Sequence, residues 1–278
     1  MSVYGISSYF LWTQKGLTEL PLVRGSGFLM RYRELHTFYR YHVVTAGHVS
    51  SPVRYKQIYG DTAGLRAIGQ RHLSTRLLVP SSETHKVVHS LEMEFKQYPM
   101  PNVDVALLRC KQEAHVEELG LQPIDVDKDP IAEGTELVFC GLDVEEERAN
   151  PNDEGLLLRE RRLFGVCKAA LVSLDYGTVL LASLTDESPR AVDGILSKGL
   201  PLGMCGGPVL RRGSGKCVGV IVARVLKNAP PRDPNAGALY QDPYLDISEN
   251  VSLHAHGSLD VAFVPIGEFY SSMRRSEL

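Results

Sequence analysis

Apolar positions along this chain rarely recur with helical period. They fall instead into short runs broken by Gly, Pro, Asn and Asp, the pattern of an antiparallel β protein. Residues 25–30 (Gly-Ser-Gly-Phe-Leu-Met) read as a turn entering a strand, and 38–45, aromatic and β-branched with Val43, Val44 and Thr45 at its end, as a second. The stretch 86–95 alternates in part, and 103–109 is an apolar run that follows Pro99 and Pro101. The same signal recurs at 136–140, after Gly134. Residues 163–174 and 178–184 read as a hairpin about Asp175-Tyr176-Gly177. Another hairpin is expected from 209–210 and 217–225, which flank Arg211-Arg212-Gly213-Ser214-Gly215. The last strand is expected at 259–266 and a short terminal helix at 267–275, with brief helical turns at 46–51 and 111–120. Three stretches, 51–85, 143–162 and 227–257, read as surface excursions, the last of them rich in proline.

Composition narrows the class. The 278 residues are 44% hydrophobic and 23% charged, enough to build one large or two small folded units and too apolar for a disordered chain. The 25 glycines and 16 prolines supply the turns of an all-β fold. A net charge of −3 gives no basic surface for nucleic acid, and no apolar run reaches membrane-spanning length, so neither partner is expected. The N-terminal residues lack the basic and apolar regions of a secretory leader. The five cysteines, Cys110, Cys140, Cys167, Cys205 and Cys217, are odd in number and form no C-x-x-C pair. They predict neither a disulfide framework nor a zinc site, and they fit an intracellular, reducing compartment, cytoplasm and organelle lumen alike. His254-x-His256 has no third ligand in view, so no metal and no cofactor are expected.

Three short motifs carry candidate chemistry. Thr45-Ala46-Gly47-His48 ends an apolar strand, Asp104-Val105-Ala106-Leu107-Leu108 opens another, and Gly203-Met204-Cys205-Gly206-Gly207-Pro208 is a glycine-rich turn. Asp104 follows His48 by 56 residues and Cys205 follows Asp104 by 101. In this order and with these neighbours the chain resembles the trypsin-like protease superfamily. T-A-G-H matches its catalytic-His motif, D-V-A-L-L its catalytic-Asp motif, and G-x-C-G-G-P its nucleophile motif with Cys in place of Ser. Gly25-Ser26-Gly27-Phe28 and Ala262-Phe263-Val264-Pro265-Ile266 are similar to flanking strands of the HtrA/Deg branch. The resemblance runs in order over about 22–270.

The resemblance implies two six-stranded antiparallel β-barrels, approximately 20–110 and 134–270, joined by a linker at about 111–133. His48 and Asp104 would belong to the first barrel and Cys205 to the second. It further implies a Cys205 thiolate nucleophile, His48 as its base and Asp104 as the group that orients His48, with the amides of Gly203 and Cys205 forming an oxyanion hole. The side chain before the scissile bond would lie between Gly199, Val222, Ala223 and Arg224. With Gly199 at the base of that pocket, a small or apolar side chain is expected there. Where many family members place a Ser or Thr near the catalytic Asp, this chain has Ile221 and Val222, so Asp104 is expected to receive fewer hydrogen bonds. The implied activity is peptide-bond hydrolysis. The alternative is an inactive protease-fold subunit of a larger assembly that docks through 51–85 or 227–257.

Overall fold

The computed structural model of the chain describes residues 3–12, 18–33, 39–59, 69–97, 102–144, 152–173, 176–185, 200–201, 203–228 and 243–275. Its strands are β1 (Tyr4–Trp12), β2 (Thr18–Arg33), β3 (Tyr39–Thr45), β4 (Leu73–Pro80), β5 (Val87–Gln97), β6 (Ala106–Cys110), β7 (Pro123–Ile124), β8 (Glu136–Asp143), β9 (Arg159–Ser173), β10 (Gly177–Leu184), β11 (Pro208–Arg211), β12 (Cys217–Leu226), β13 (Tyr244–Asp246) and β14 (Val261–Pro265).

The first sheet runs β1-β4-β5-β6-β3-β2, and β1 also pairs with β2, which closes a six-stranded antiparallel barrel. The second runs β11-β8-β9-β10-β14-β12 and closes in the same way through β11 and β12. Closure leaves no free sheet edge within either barrel. Two short strands are added in parallel, β7 on β2 and β13 on β12. The all-β double barrel with a short C-terminal helix, here Ile266–Arg275, is therefore the observed architecture.

Period-two burial explains most strands. In β9, Leu163, Gly165 and Cys167 are buried while the residues between them are partly exposed. β12 is buried at every position from Cys217 to Ala223, as a strand covered on both faces requires. Aromatic rings fill the interiors: Phe139 and Phe263, both fully buried, meet edge to face with centroids 5.9 Å apart. Four strands fall outside the expected set: β1, β4 and the short β7 and β13, the last inside the 227–257 stretch expected as a surface excursion. β1 is hard to read because Ser7 and Ser8, both fully buried, interrupt its apolar alternation. β4 lies inside the 51–85 stretch expected as a surface excursion.

The 143–162 stretch also differs from a solvated loop. Its described part ties the second barrel to the first. Val87 N donates to Leu156 O at 2.9 Å and Leu158 N to His85 O at 2.8 Å, so residues 155–158 line the end of β5. Asp153, 6% exposed, is carried in with them. Its carboxylate accepts from Tyr9 Oη and from Ser90 Oγ at 3.0 Å, and it pairs with Arg76 at 3.3 Å and Arg24 at 3.5 Å. Burying a carboxylate requires such compensation, and the two guanidinium groups supply it. Burial and the bond to Asp153 push the Tyr9 phenol well above its ordinary pKa.

Candidate active site

Strand pairing brings the first two motifs together. Thr45, the last residue of β3, lies opposite Gly27 on one side and Ala106 on the other. Beyond Thr45 the chain turns through Ala46 into a short buried helix, Gly47–Ser50, which carries His48. Asp104 stands two residues ahead of Ala106, so it reaches the same end of the barrel. His48 Nδ1 lies 2.5 Å from Asp104 Oδ2, and the His48 backbone N–H donates to Oδ1 at 2.8 Å. Both carboxylate oxygens are thus used by His48, and both residues are fully buried. Tyr55 and Tyr59, from the start of the 51–85 stretch, pack their rings 6.3 and 5.9 Å from the imidazole. Tyr59 Oη donates to His48 O at 3.3 Å. The remaining ring nitrogen, Nε2, is buried and has no hydrogen-bond partner.

The glycine-rich turn brings Cys205 to the interface between the barrels. Its backbone bends at Gly203 (φ 92°) and Gly206 (φ 88°), the left-handed region where side chains are strained. A Cβ on Gly206 would sit 2.1 Å from Ser26 O and 2.3 Å from Thr45 Oγ1. The turn is held on the second-barrel side by Gly206 N to Ile221 O at 2.7 Å and Ile221 N to Gly207 O at 2.9 Å. On the first-barrel side, Ser26 N donates to Cys205 O at 2.8 Å, and Ser26 Oγ donates to Gly203 O at 2.7 Å while accepting from Leu142 N at 2.8 Å. Gly25 must lack a side chain there, since its Cβ would come 2.8 Å from Cys205 O. Ser26 was not among the expected site residues. Its sequence signals were its place between two glycines and the likeness of Gly25-Ser26-Gly27-Phe28 to a flanking strand of the HtrA/Deg branch.

The Cys205 thiol donates to Val222 O at 3.4 Å, and the residue is 7% exposed. Asp104 and His48 are thus joined, whereas no hydrogen bond links His48 Nε2 to Cys205. The other four cysteines are buried free thiols. Burial raises the pKa of all four, to about 12 for Cys140 and Cys217.

Of the expected pocket residues, Gly199 lies outside the described residues. Val222 and Ala223 are fully buried, and Arg224 is partly exposed. The Arg224 amide donates to Pro243 O at 3.2 Å, and Arg224 pairs with Tyr244, so β13 occupies the edge of β12 just past Ala223. Arg224 Nη2 crosses to Leu200 O at 2.9 Å. His254 Nε2 lies 3.2 Å from Ile247 O, and His256 Nδ1 lies 3.9 Å from Glu133. Among the described residues no group of His, Cys, Asp and Glu is placed to hold a metal ion, and no helix is long and apolar enough to cross a membrane.

The two closed six-stranded barrels are similar in fold to a solved structure described as "HtrA-type protease AlgW with decapeptide". The match covers 98% of this chain with a TM-score of 0.51. This is the trypsin-like fold. Sequence identity to that structure is 11%, and the chain matches 63% of its length. No protein-family model matches the chain, and neither does any curated protein sequence. Within this fold His48 lies just past the end of β3, Asp104 just ahead of β6 and Cys205 just ahead of β11.

Proposed function

We propose that this chain is a peptidase that hydrolyses peptide bonds with Cys205 as nucleophile. The observation that carries the reading is His48. Its Nδ1 faces a carboxylate, which keeps the proton on that nitrogen and leaves the Nε2 lone pair as a base. That lone pair is buried and unpartnered, an arrangement that structure alone does not favour. The proposed reaction needs the Cys205 side chain to turn from Val222 O toward Nε2. Catalytic contacts often tighten only when substrate arrives.

In the proposed reaction His48 Nε2 takes the thiol proton and the sulfur attacks the substrate carbonyl. Charge developing on the carbonyl oxygen falls to the amides of Gly203 and Cys205, on a turn held by Ser26. The C–N bond then breaks, His48 returns the proton to the leaving amine, and a thioester remains on Cys205. Water, deprotonated by His48, attacks the thioester. The acid product leaves and the thiol is restored. Gly199, Val222, Ala223 and Arg224 would flank the substrate side chain. The partner is a peptide or protein, and no cofactor takes part. Free thiols at all five cysteines fit a reducing, intracellular site of action.

One observation favours a second reading, an inactive protease-fold subunit of a larger assembly. The thiol is bonded to Val222 O and not to His48, and the site is almost fully buried. In that case the 51–85 and 227–257 stretches would serve docking. A thiol-directed activity probe separates the two. The peptidase reading expects labelling of the native chain at Cys205 that is lost in Cys205→Ala and strongly reduced in His48→Ala. Labelling equally fast without His48 would support the inactive subunit.

A further inference from the structure

Arg224 occupies a place that the expected small or apolar pocket does not account for. It stands two residues beyond Val222, whose carbonyl accepts the Cys205 thiol. Its guanidinium reaches across to the carbonyl of Leu200, five residues ahead of Cys205. The two chain segments that converge on the nucleophile are therefore bridged by this one side chain. On the peptidase reading, the side chain preceding the attacked carbonyl would lie beside these same segments.

The charge of Arg224 is under-used. A guanidinium carries five N–H donors, and among the described residues the one hydrogen bond of this side chain is to a neutral carbonyl. Among the described residues no carboxylate pairs with it. Asp246 on β13 and Asp260 just ahead of β14 are engaged elsewhere. Asp246 Oδ1 accepts from Ser248 N at 2.9 Å, while Asp260 accepts from Leu184 N at 2.8 Å and from Ser258 Oγ at 2.9 Å. A partly buried cation with no counter-charge among the described residues gains from a carboxylate that arrives with a ligand. The Arg224 amide N–H is already taken by Pro243 O, so the guanidinium holds the N–H donors this residue has left for a ligand.

We propose that Arg224 selects a substrate carboxylate, the side chain of Asp or Glu immediately before the scissile bond. This rests on the peptidase reading and gives it a substrate class. The carboxylate would accept two parallel N–H bonds from the guanidinium fork, and Leu200 O would hold the fork in place.

The test uses the full chain and peptides blocked at both ends, identical except for Glu, Asp, Gln, Leu or Lys before the cleaved bond. Hydrolysis is measured with the native chain. Binding of the same peptides is measured with Cys205→Ala by fluorescence anisotropy. Glu and Asp are expected to exceed Gln and Leu by roughly 10- to 100-fold in both readouts, the range for hydrogen bonds to a charged group. Arg224→Leu should erase that ratio, and Arg224→Lys should keep part of it, which separates lost recognition from lost folding. Hydrolysis without acidic preference overturns the proposal and leaves the peptidase reading standing. Arg224-dependent binding of acidic peptides without hydrolysis keeps the carboxylate site and overturns the peptidase reading. Neither binding preference nor hydrolysis overturns both.

Discussion

Ser26→Ala should loosen the nucleophile turn without touching any reacting atom. In the native chain Ser26 Oγ donates to Gly203 O at 2.7 Å and accepts from Leu142 N at 2.8 Å, and Ser26 is fully buried. Alanine keeps the Cβ and the backbone bond from Ser26 N to Cys205 O, so packing changes little. What is lost is the bridge between β2, β8 and the turn at Gly203. Each bond contributes about 1 kcal/mol net, and each buried group left without a partner costs about 1–3 kcal/mol. Leu142 is buried but Gly203 is partly exposed, so water can replace part of one bond and the expected loss is about 2–3 kcal/mol. Urea denaturation at neutral pH measures it as a lower midpoint at unchanged slope. Ser8→Ala is the matched control: Ser8 is equally buried on neighbouring β1, but its hydroxyl makes a 3.4 Å bond to Val23 O. Its loss should cost less than about 1 kcal/mol. The Cys205 alkylation rate should change in Ser26→Ala and not in Ser8→Ala. If Ser26→Ala unfolds at the native midpoint and its Cys205 reacts at the native rate, Ser26 does not hold the turn and the account of the interface is wrong.

Asp153→Asn removes the charge that Arg24 and Arg76 share, and should lower stability by about 3 kcal/mol and open residues 152–158 to limited proteolysis. An unchanged digestion pattern would argue against their role as a tie between the barrels. Asp104→Asn should leave the barrels folded, by circular dichroism, while cutting kcat/KM on any cleaved peptide roughly 10³- to 10⁴-fold, because an amide cannot accept from both the His48 backbone and its Nδ1–H as the carboxylate does. Near-native turnover in that variant would contradict the proposed role of His48. Cys140 and Cys217 have folded pKa values raised to about 12 by burial, so the unfolded chain gives up these protons first. Their contribution is complete below the unfolded thiol pKa near 9 and declines as pH rises through 12. The urea midpoint should fall over that window, and Cys140→Val with Cys217→Val should flatten the fall; an equal fall in the double variant would exclude the thiols as its cause.

The sequence by itself determined the fold class and brought the candidate residues into view. Apolar runs cut by Gly and Pro specify strands and turns through local sterics, and short-range chemistry of this kind is legible one segment at a time. The same holds for the glycines around Cys205, whose positive φ no other residue adopts without strain. Other features were decided only when distant segments met. Ser7 and Ser8 hide β1 because polar residues read as surface, yet barrel closure buries them. Asp153 sits in a stretch whose charges suggested solvent, and it is drawn inside because Arg24 and Arg76, more than 70 residues away, are there to pair with it. Ser26 became a site residue through partners 116 and 177 positions along the chain. Whether the Cys205 thiol faced His48 or Val222 was likewise beyond the motifs, since side-chain direction follows from packing across the interface between the barrels. Local sequence sets backbone conformation, while the partner of a buried polar group is set by which segments the closed barrels bring within about 3 Å.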